Sequence, residues 1–287
     1  MEFLKELHET YQQAHALAAR SLAKTKKHGL PACPAALNAL TDDKLISYRL
    51  DLGILDIPVS LIVGVAEANE NTALYTKEFF PLSLPKSEFA DQWREINKQY
   101  FCEKRLRGEI RCFEYLGKFY VCDGMKRVSV LKLHNVPTVR SHVTRIMPIS
   151  TETKSLQQYY EFLSNFRLTN LYQLQFTQPG YFEKFQRALG KKATCRWTDS
   201  DRAQFLVIWP GIERAFRESY DDNLRITAAD ATVVLLQKYS FDQIIHMEPW
   251  MLARVFQLFW KELYALSFPD RSLIAGNIRP TEKLQFA

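Results

Sequence analysis

The sequence predicts an α+β fold, in which a mixed sheet is preceded by a long amino-terminal helix and followed by a mostly helical domain. Two observations support this prediction. Segments rich in β-branched residues are concentrated between residues 49 and 147. Apolar residues at helical spacing dominate before and after that stretch. We therefore divide the chain into an amino-terminal helix and connector (1–48), a sheet domain (49–150) and a helical domain (151–287).

The first of these segments predicts one long amphipathic helix. Between residues 3 and 27, apolar side chains recur at helical spacing. The segment ends in a basic last turn followed by Gly29, a common way for a helix to end. Pro31 and Pro34 oppose any helical continuation, so the chain up to Thr41 is predicted to be a connector.

The middle segment contains the predicted strands. Residues 49–63 are rich in Leu, Ile and Val, which favours extended structure. A helix is predicted to begin after Ser87, a suitable N-cap residue. Two strands joined by a tight turn at Leu116–Lys118 come next. The second strand leads directly into a helix that begins at Asp123 and Gly124.

The carboxyl-terminal half predicts helices that share an aromatic core. Apolar residues lie at helical spacing over residues 151–166 and 181–189. Thr227 and Asp230 form a capping-box pattern that begins another helix. Pro249 is typical of the first turn of the last one. This half of the chain is therefore expected to fold around helix packing and not around a sheet.

Composition limits the possible classes of protein. Hydrophobic residues make up 47% and charged residues 24% of the chain, which indicates a folded protein and not a disordered one. The acidic start is unlike a secretory signal, and no apolar run approaches the roughly 20 residues that cross a bilayer, so we expect no membrane partner. Five cysteines without metal-binding spacing suit a reducing compartment. The sequence thus predicts a cytoplasmic protein without a metal site.

One segment of the chain suggests chemistry. A strand that leads into a helix through Asp123, Gly124, Met125, Lys126 and Arg127 leaves free backbone N–H groups at the positive end of the helix dipole, where anions bind. Gly124 would let a phosphate approach the backbone, while Lys126 and Arg127 would supply positive charge. The structural alternative is that Asp123 and Gly124 only begin the helix and that the two basic side chains are solvated.

The same residues resemble a known superfamily. The segment Phe119–Lys132, followed by Val136–Val139, is similar to the "y-v-v-D-G-x-x-R-x-x-A-x-k … v-p-v" pattern of the ParB/sulfiredoxin superfamily. Upstream, Leu55–Ile62 resembles the "v-x-I-p-l-x-x-I" element that opens the domain in that family. The resemblance covers about residues 50–147 and implies a ParB/sulfiredoxin-like mixed-sheet domain.

The resemblance also implies a ligand. It places the phosphates of a nucleotide, CTP, ATP or ADP, with or without Mg2+, at Asp123, Gly124, Lys126 and Arg127. Sulfiredoxins have their catalytic cysteine where this chain has Met125, which argues against that activity. Met125 and Lys126 also replace the Glu and the first Arg of the G-E-R-R motif in chromosome-partitioning members. The D-G-H-x-R motif of the free-serine kinases matches at Asp123, Gly124 and Arg127, while Met125 stands in the place of its His.

Two further groups of residues have a functional and a structural interpretation. A carboxylate after the first strands can reach a phosphate site as a base or magnesium ligand, or can merely solvate a loop; the candidates are Glu67, Glu70 and Glu78.

A basic cluster with interleaved aromatic residues can meet a nucleic-acid backbone, although a solvated helix face with aromatic core residues is favoured. This basic cluster consists of Lys184, Arg187, Lys191, Lys192 and Arg196. The net charge of +6 permits such a partner without requiring it.

Three hypotheses follow. The first is a ParB-like nucleotide-phosphate-binding regulatory or DNA-associated protein, whose helical domain contacts DNA or a protein partner. The second is a small-molecule phosphotransferase that resembles the free-serine kinases. The third is a non-catalytic protein interaction module. A carboxylate near Gly124 would favour the second over the first, because phosphoryl transfer needs such a group and binding alone does not.

Overall fold

The protein is a mixed α/β structure, seen here in a computed structural model. The residues that the structure describes are 2–149, 153–219 and 225–267. Within them lie eleven α-helices and one six-stranded mixed sheet. The chain forms two compact units, Met1–Thr151 and Glu152–Ala287. The boundary predicted at Ser150 itself lies outside the described residues.

The first unit contains the sheet and four of these helices. In chain order its elements are α1 (Glu2–His28), β1 (Ala35–Ala36), α2 (Leu37–Leu40), β2 (Ile46–Pro58), β3 (Ile62–Val65), α3 (Glu88–Glu103), β4 (Ile110–Tyr115), β5 (Lys118–Asp123), α4 (Met125–Leu133) and β6 (Thr138–Pro148). Ser87 caps α3 as predicted, since its hydroxyl accepts a hydrogen bond from the Ala90 N–H. The predicted turn between β4 and β5 is present, and its two residues, Leu116 and Gly117, both have positive φ.

The six strands lie in the order β1-β3-β5-β4-β6-β2. The pairs β2–β6 and β4–β5 are antiparallel, and the other three pairs are parallel. The sheet begins before the predicted residue 49, because β1 lies in the expected connector and β2 begins at Ile46. Two residues are too few to show an alternating pattern, so β1 is visible only through its pairing of Ala35 with Gly64. A Cβ on Gly64 would lie 2.2 Å from the Ala35 carbonyl oxygen, which explains the glycine.

Helices α1, α3 and α4 pack together through a small buried cluster. Its members are Tyr11, Ala14, Ala90, Trp93 and Val130. The rings of Tyr11 and Trp93 meet edge to face with their centroids 5.3 Å apart. The indole Nε1 of Trp93 donates a buried hydrogen bond of 2.9 Å to Ser129 Oγ on α4. These contacts hold α4, the helix that follows Gly124, against α3.

A buried ion pair joins β4 to β6. Glu114 is fully buried, and the Arg145 guanidinium, which is nearly so, donates to its carboxylate through Nε. The other carboxylate oxygen of Glu114 accepts a hydrogen bond of 2.7 Å from the backbone N–H of Gly117 in the β4–β5 turn. The pair thus connects the turn, β4 and β6 through one carboxylate.

The second unit is helical in its described residues. Its elements are α5 (Lys154–Thr169), α6 (Tyr181–Ala188), α7 (Asp199–Ser219), α8 (Ala228–Leu236), α9 (Phe241–Ile245), α10 (Pro249–Leu258) and α11 (Trp260–Ser267). The predicted capping box of Thr227 and Asp230 begins α8, and Pro249 lies in the first turn of α10. The final helix predicted from Pro249 is two helices, because the chain leaves helical geometry at Phe259. Helix α7, which contains Pro210, had no sequence prediction.

The core of this second unit is aromatic. Phe185, Trp197, Phe205 and Trp209 form a connected series of ring contacts with centroids 5.2 to 6.1 Å apart. All four side chains are buried. In the described ranges no helix is both long enough and apolar enough to cross a membrane.

Candidate phosphate-binding site

The predicted site lies at one end of three neighbouring strands, where β3 and β5 end and β4 begins. The parallel register places Val65 of β3 beside Val121 of β5. The Ala66 N–H extends this pairing, because it donates a hydrogen bond of 2.8 Å to the Val121 carbonyl. On the other side of β5, Asp123 pairs with Arg111 at the start of β4. The segment after β3 and the segment before β4 therefore both lie beside the point at which β5 leads into α4.

Gly124 is the residue that makes this transition possible. It is the N-cap residue of α4, with φ 104° and ψ 23°, a left-handed conformation that side chains disfavour. A Cβ there would also lie 3.0 Å from Arg127 Nη1 and 3.1 Å from Ile110 Cγ1. The first helical bond runs from the Val128 N–H to the Gly124 carbonyl. The backbone N–H groups of residues 125–127 therefore have no acceptor within the helix.

Arg127 places its guanidinium directly beside this helix start. Nη1 donates a hydrogen bond of 2.7 Å to the Glu109 carbonyl and lies 3.7 Å from Asp123 Oδ2. A Cβ on Gly108, whose φ is 78°, would lie 2.7 Å from Arg127 Nη2. Glycines at 108 and 124 thus leave the space that the guanidinium occupies. The side chain is 25% exposed, so the charged group is held in position and still reaches solvent.

Lys126 takes a different direction from Arg127. Its Nζ donates a hydrogen bond of 2.7 Å to Gln92 Oε1 on α3 and lies 5.1 Å from the centre of the Phe89 ring. Of the four residues predicted for the site, the structure brings Asp123, Gly124 and Arg127 together and directs Lys126 to α3. Sequence reasoning did not identify Gly108, whose only signal is that it is a glycine just before a strand.

Of the three candidate carboxylates, Glu67 follows the strand that pairs with β5 next to the proposed site. Desolvation raises the pKa of Cys122 to about 11, and the nearby negative charges of Asp123 and Glu67 act in the same direction. Glu67 directly follows Ala66, whose N–H bonds to the Val121 carbonyl of β5, so its backbone lies beside the end of β5, as expected from its position after β3. Glu78 instead accepts a hydrogen bond from the Ser21 hydroxyl. Glu70 lies in a short 3-10 turn that begins after Asn69.

The basic cluster of the helical unit is a charged surface above an aromatic core. The aromatic residues interleaved with it, Phe182, Phe185 and Trp197, are all buried, which confirms the interpretation that they belong to the core. Lys191 Nζ forms an ion pair of 2.9 Å with Asp201, which lowers the pKa of that carboxyl. These aromatic rings are therefore not arranged to stack on bases.

Comparisons with known proteins give no family assignment. No family model matches the chain, and no curated protein and no solved structure matches it either. Within the described part of the chain, no group of three or more His, Cys, Asp or Glu side chains is arranged to hold a metal ion. The class that the fold defines is thus a mixed α/β protein, in which a glycine begins a helix beside a positioned arginine.

Proposed function

We propose that the first unit binds the phosphate of a nucleotide at the start of α4. The observation that carries the proposal is the position of the Arg127 guanidinium, which lies next to Gly124 and to the first N–H groups of the helix. A phosphate in that position would accept hydrogen bonds from backbone N–H groups and from a guanidinium, its two commonest donors in proteins. The ligand class, CTP, ATP or ADP, comes from the resemblance to the ParB/sulfiredoxin superfamily.

Three physical features support phosphate as the ligand. The left-handed Gly124 lets β5 turn directly into α4, which leaves the N–H groups of residues 125–127 without an acceptor within the helix. The guanidinium is held by the Glu109 carbonyl, so little side-chain entropy remains to be lost on binding. The helix dipole adds a positive potential along the same direction. Lys126 is not needed for this arrangement, because Gln92 holds its ammonium group.

A calorimetric screen of nucleotides tests the proposal. CTP, ATP, ADP and GTP are titrated into the protein with and without Mg2+, and inorganic phosphate serves as the minimal ligand. We expect saturable binding of at least one nucleotide. The control is Arg105→Ala, which removes a highly exposed positive charge from the same loop region and should retain the affinity. Absence of binding for every nucleotide would leave α4 with an ordinary glycine start and would favour the interaction-module hypothesis.

Small-molecule phosphotransfer is the second candidate function, and the position of Glu67 favours it. A carboxylate near a bound γ-phosphate can accept the proton of an attacking hydroxyl or hold Mg2+. The test is Glu67→Gln, assayed for phosphate transfer from ATP or ADP to small hydroxyl compounds such as free serine. If the wild type transfers phosphate and Glu67→Gln loses this transfer while it still binds the nucleotide, the result would support an enzyme. A wild-type protein that binds nucleotide and transfers no phosphate would support a regulatory binder.

For the regulatory hypothesis, the proposed partner is DNA, which the helical unit would bind. With the aromatic rings buried, the basic cluster offers contacts to the phosphate backbone only. Binding of that kind weakens steeply as salt increases, because counterions are released. Gel shifts over a salt series measure this dependence. Neutralising Lys184 and Arg187 together should make the affinity for DNA depend less steeply on salt. Absent or salt-independent binding would exclude DNA and leave a protein partner.

A further inference from the structure

Strand β2 lies at one edge of the sheet, and among the described residues no strand pairs with its outer side. It is the last strand in the order and, at 13 residues, the longest of those described. Its pairing partner in the described chain is β6, on one side only. Edge strands usually carry charges, prolines or bulges that prevent pairing with another chain. β2 has charged residues and irregularities of this kind, but large apolar side chains also face solvent between them.

The exposed apolar residues lie in a short regular stretch of β2. Tyr48 is 54% exposed and Leu50 is 46% exposed. Because they are two positions apart in a strand, their side chains lie on the same face. Irregularities in the pairing with β6 lie between Ile46 and Tyr48 and between Asp51 and Ile54, so the regular stretch runs from Tyr48 to Asp51. Leu52, which is partly buried, is next along the strand.

This stretch is complementary to itself when reversed. If two copies align antiparallel about Leu50, that residue lies opposite its own copy and Tyr48 lies opposite Leu52. Arg49 then lies opposite Asp51, and the symmetry generates this oppositely charged pair twice. Directly opposite residues share one face of a sheet, so the apolar pairs fall on one face and the charged pairs on the other. Such self-complementarity is what a two-fold interface requires.

We propose that two copies of this chain associate through β2, with Tyr48–Leu52 of each copy paired antiparallel. The proposal is independent of nucleotide binding. The charged side chains have partners within their own chain that leave them exposed: Asp51 Oδ1 accepts from Gly53 N and lies 2.8 Å from His142 Nε2, with the side chain 67% exposed. The guanidinium carbon of Arg49 lies 6.0 Å from the centre of the Phe113 ring, and the residue is exposed.

Charge reversal tests the pairing and its register. Sedimentation velocity over a range of concentrations measures the oligomeric state of the full chain and of Arg49→Asp, Asp51→Arg and the double variant. Each single variant places like charges opposite each other twice, so its dimer dissociation constant should rise about tenfold or more. The double variant restores opposite charges and should regain the dimer. An equimolar mixture of the two single variants should form a heterodimer, because all of its charged pairs are then complementary.

Controls separate pairing from folding. Asp56→Arg reverses a charge on the same strand outside the paired stretch and should leave the dimer intact. Thermal unfolding of every variant establishes that the monomers are folded, and the mixing experiment requires folded monomers to succeed. A wild-type chain that stays monomeric at every soluble concentration would overturn the proposal. So would a dimer that survives both single reversals, since the interface would then lie elsewhere.

Discussion

Replacing Arg127 by alanine separates the binding role of this residue from its structural role. The guanidinium lies between Gly108 and Gly124 and donates to the Glu109 carbonyl. Its removal therefore takes a charge from the proposed phosphate site and a tie from the loop that precedes β4. Both effects are expected, and they differ in size and in the measurement that detects them.

The structure sets the size of each effect. A lost hydrogen bond between a guanidinium and a phosphate costs roughly 1.5 to 3 kcal/mol, which weakens nucleotide binding roughly ten- to a hundredfold. The bond to the Glu109 carbonyl belongs to a side chain that is 25% exposed, so water can replace part of it. We expect Arg127→Ala to lower the free energy of unfolding by about 1 kcal/mol.

Calorimetry and thermal unfolding are measured on the same preparations. Arg127→Lys retains the charge but loses the planar fork and should bind with intermediate affinity. Arg105→Ala, which also removes one positive charge, should match the wild type in both measurements. If folded Arg127→Ala binds nucleotide as tightly as the wild type, the guanidinium is not part of the site. If the variant fails to fold, Arg127→Lys still reports on binding.

Three further predictions concern the structure around the site. Ser129→Ala removes the acceptor of the buried Trp93 indole N–H and should cost about 1 to 3 kcal/mol in denaturant unfolding; an unchanged midpoint would contradict the importance of this bond. Arg145→Met leaves the buried Glu114 carboxylate without its guanidinium and should cost about 3 to 5 kcal/mol, whereas Arg145→Lys should recover part of that loss. Burial and the nearby Lys104 lower the pKa of His134, so the unfolded chain takes up the proton first and stability should fall as pH drops below 6.5. His134→Gln should flatten that dependence, and a slope that persists in the variant would assign it to another group.

Local signals predicted the parts of the fold that short stretches of sequence determine. The β4–β5 turn at Leu116, the helix start at Gly124 and the caps at Ser87 and Thr227 depend on residues within a few positions of one another. Backbone conformation and capping chemistry act over that range. The segment that supports the proposed site was therefore recognisable before its surroundings were.

Other features depend on contacts between distant residues. The pairing of β1 with β3 brings Ala35 to Gly64, and neither segment alone indicates it. The ion pair of Glu114 and Arg145 depends on β4 and β6 lying side by side. Helix α7 was missed because Pro210, which usually ends a helix, lies inside it. In each case the packing of the unit determines the outcome, and a local pattern does not report it.

The position of Arg127 shows why its structural and binding roles are compatible. A guanidinium carries five N–H donors in a fixed plane, so the bond to the Glu109 carbonyl does not exhaust its capacity. That same bond fixes the plane beside Gly124, where an unsupported arginine would sample many conformations. A phosphate bound there would join the loop before β4 to α4 through a second set of hydrogen bonds. Ligand binding and stability are then coupled, and a nucleotide at a hundred times its dissociation constant would stabilise the folded protein by about 2.7 kcal/mol. If Arg127 were purely structural, Arg127→Ala would leave this nucleotide-dependent stabilisation unchanged.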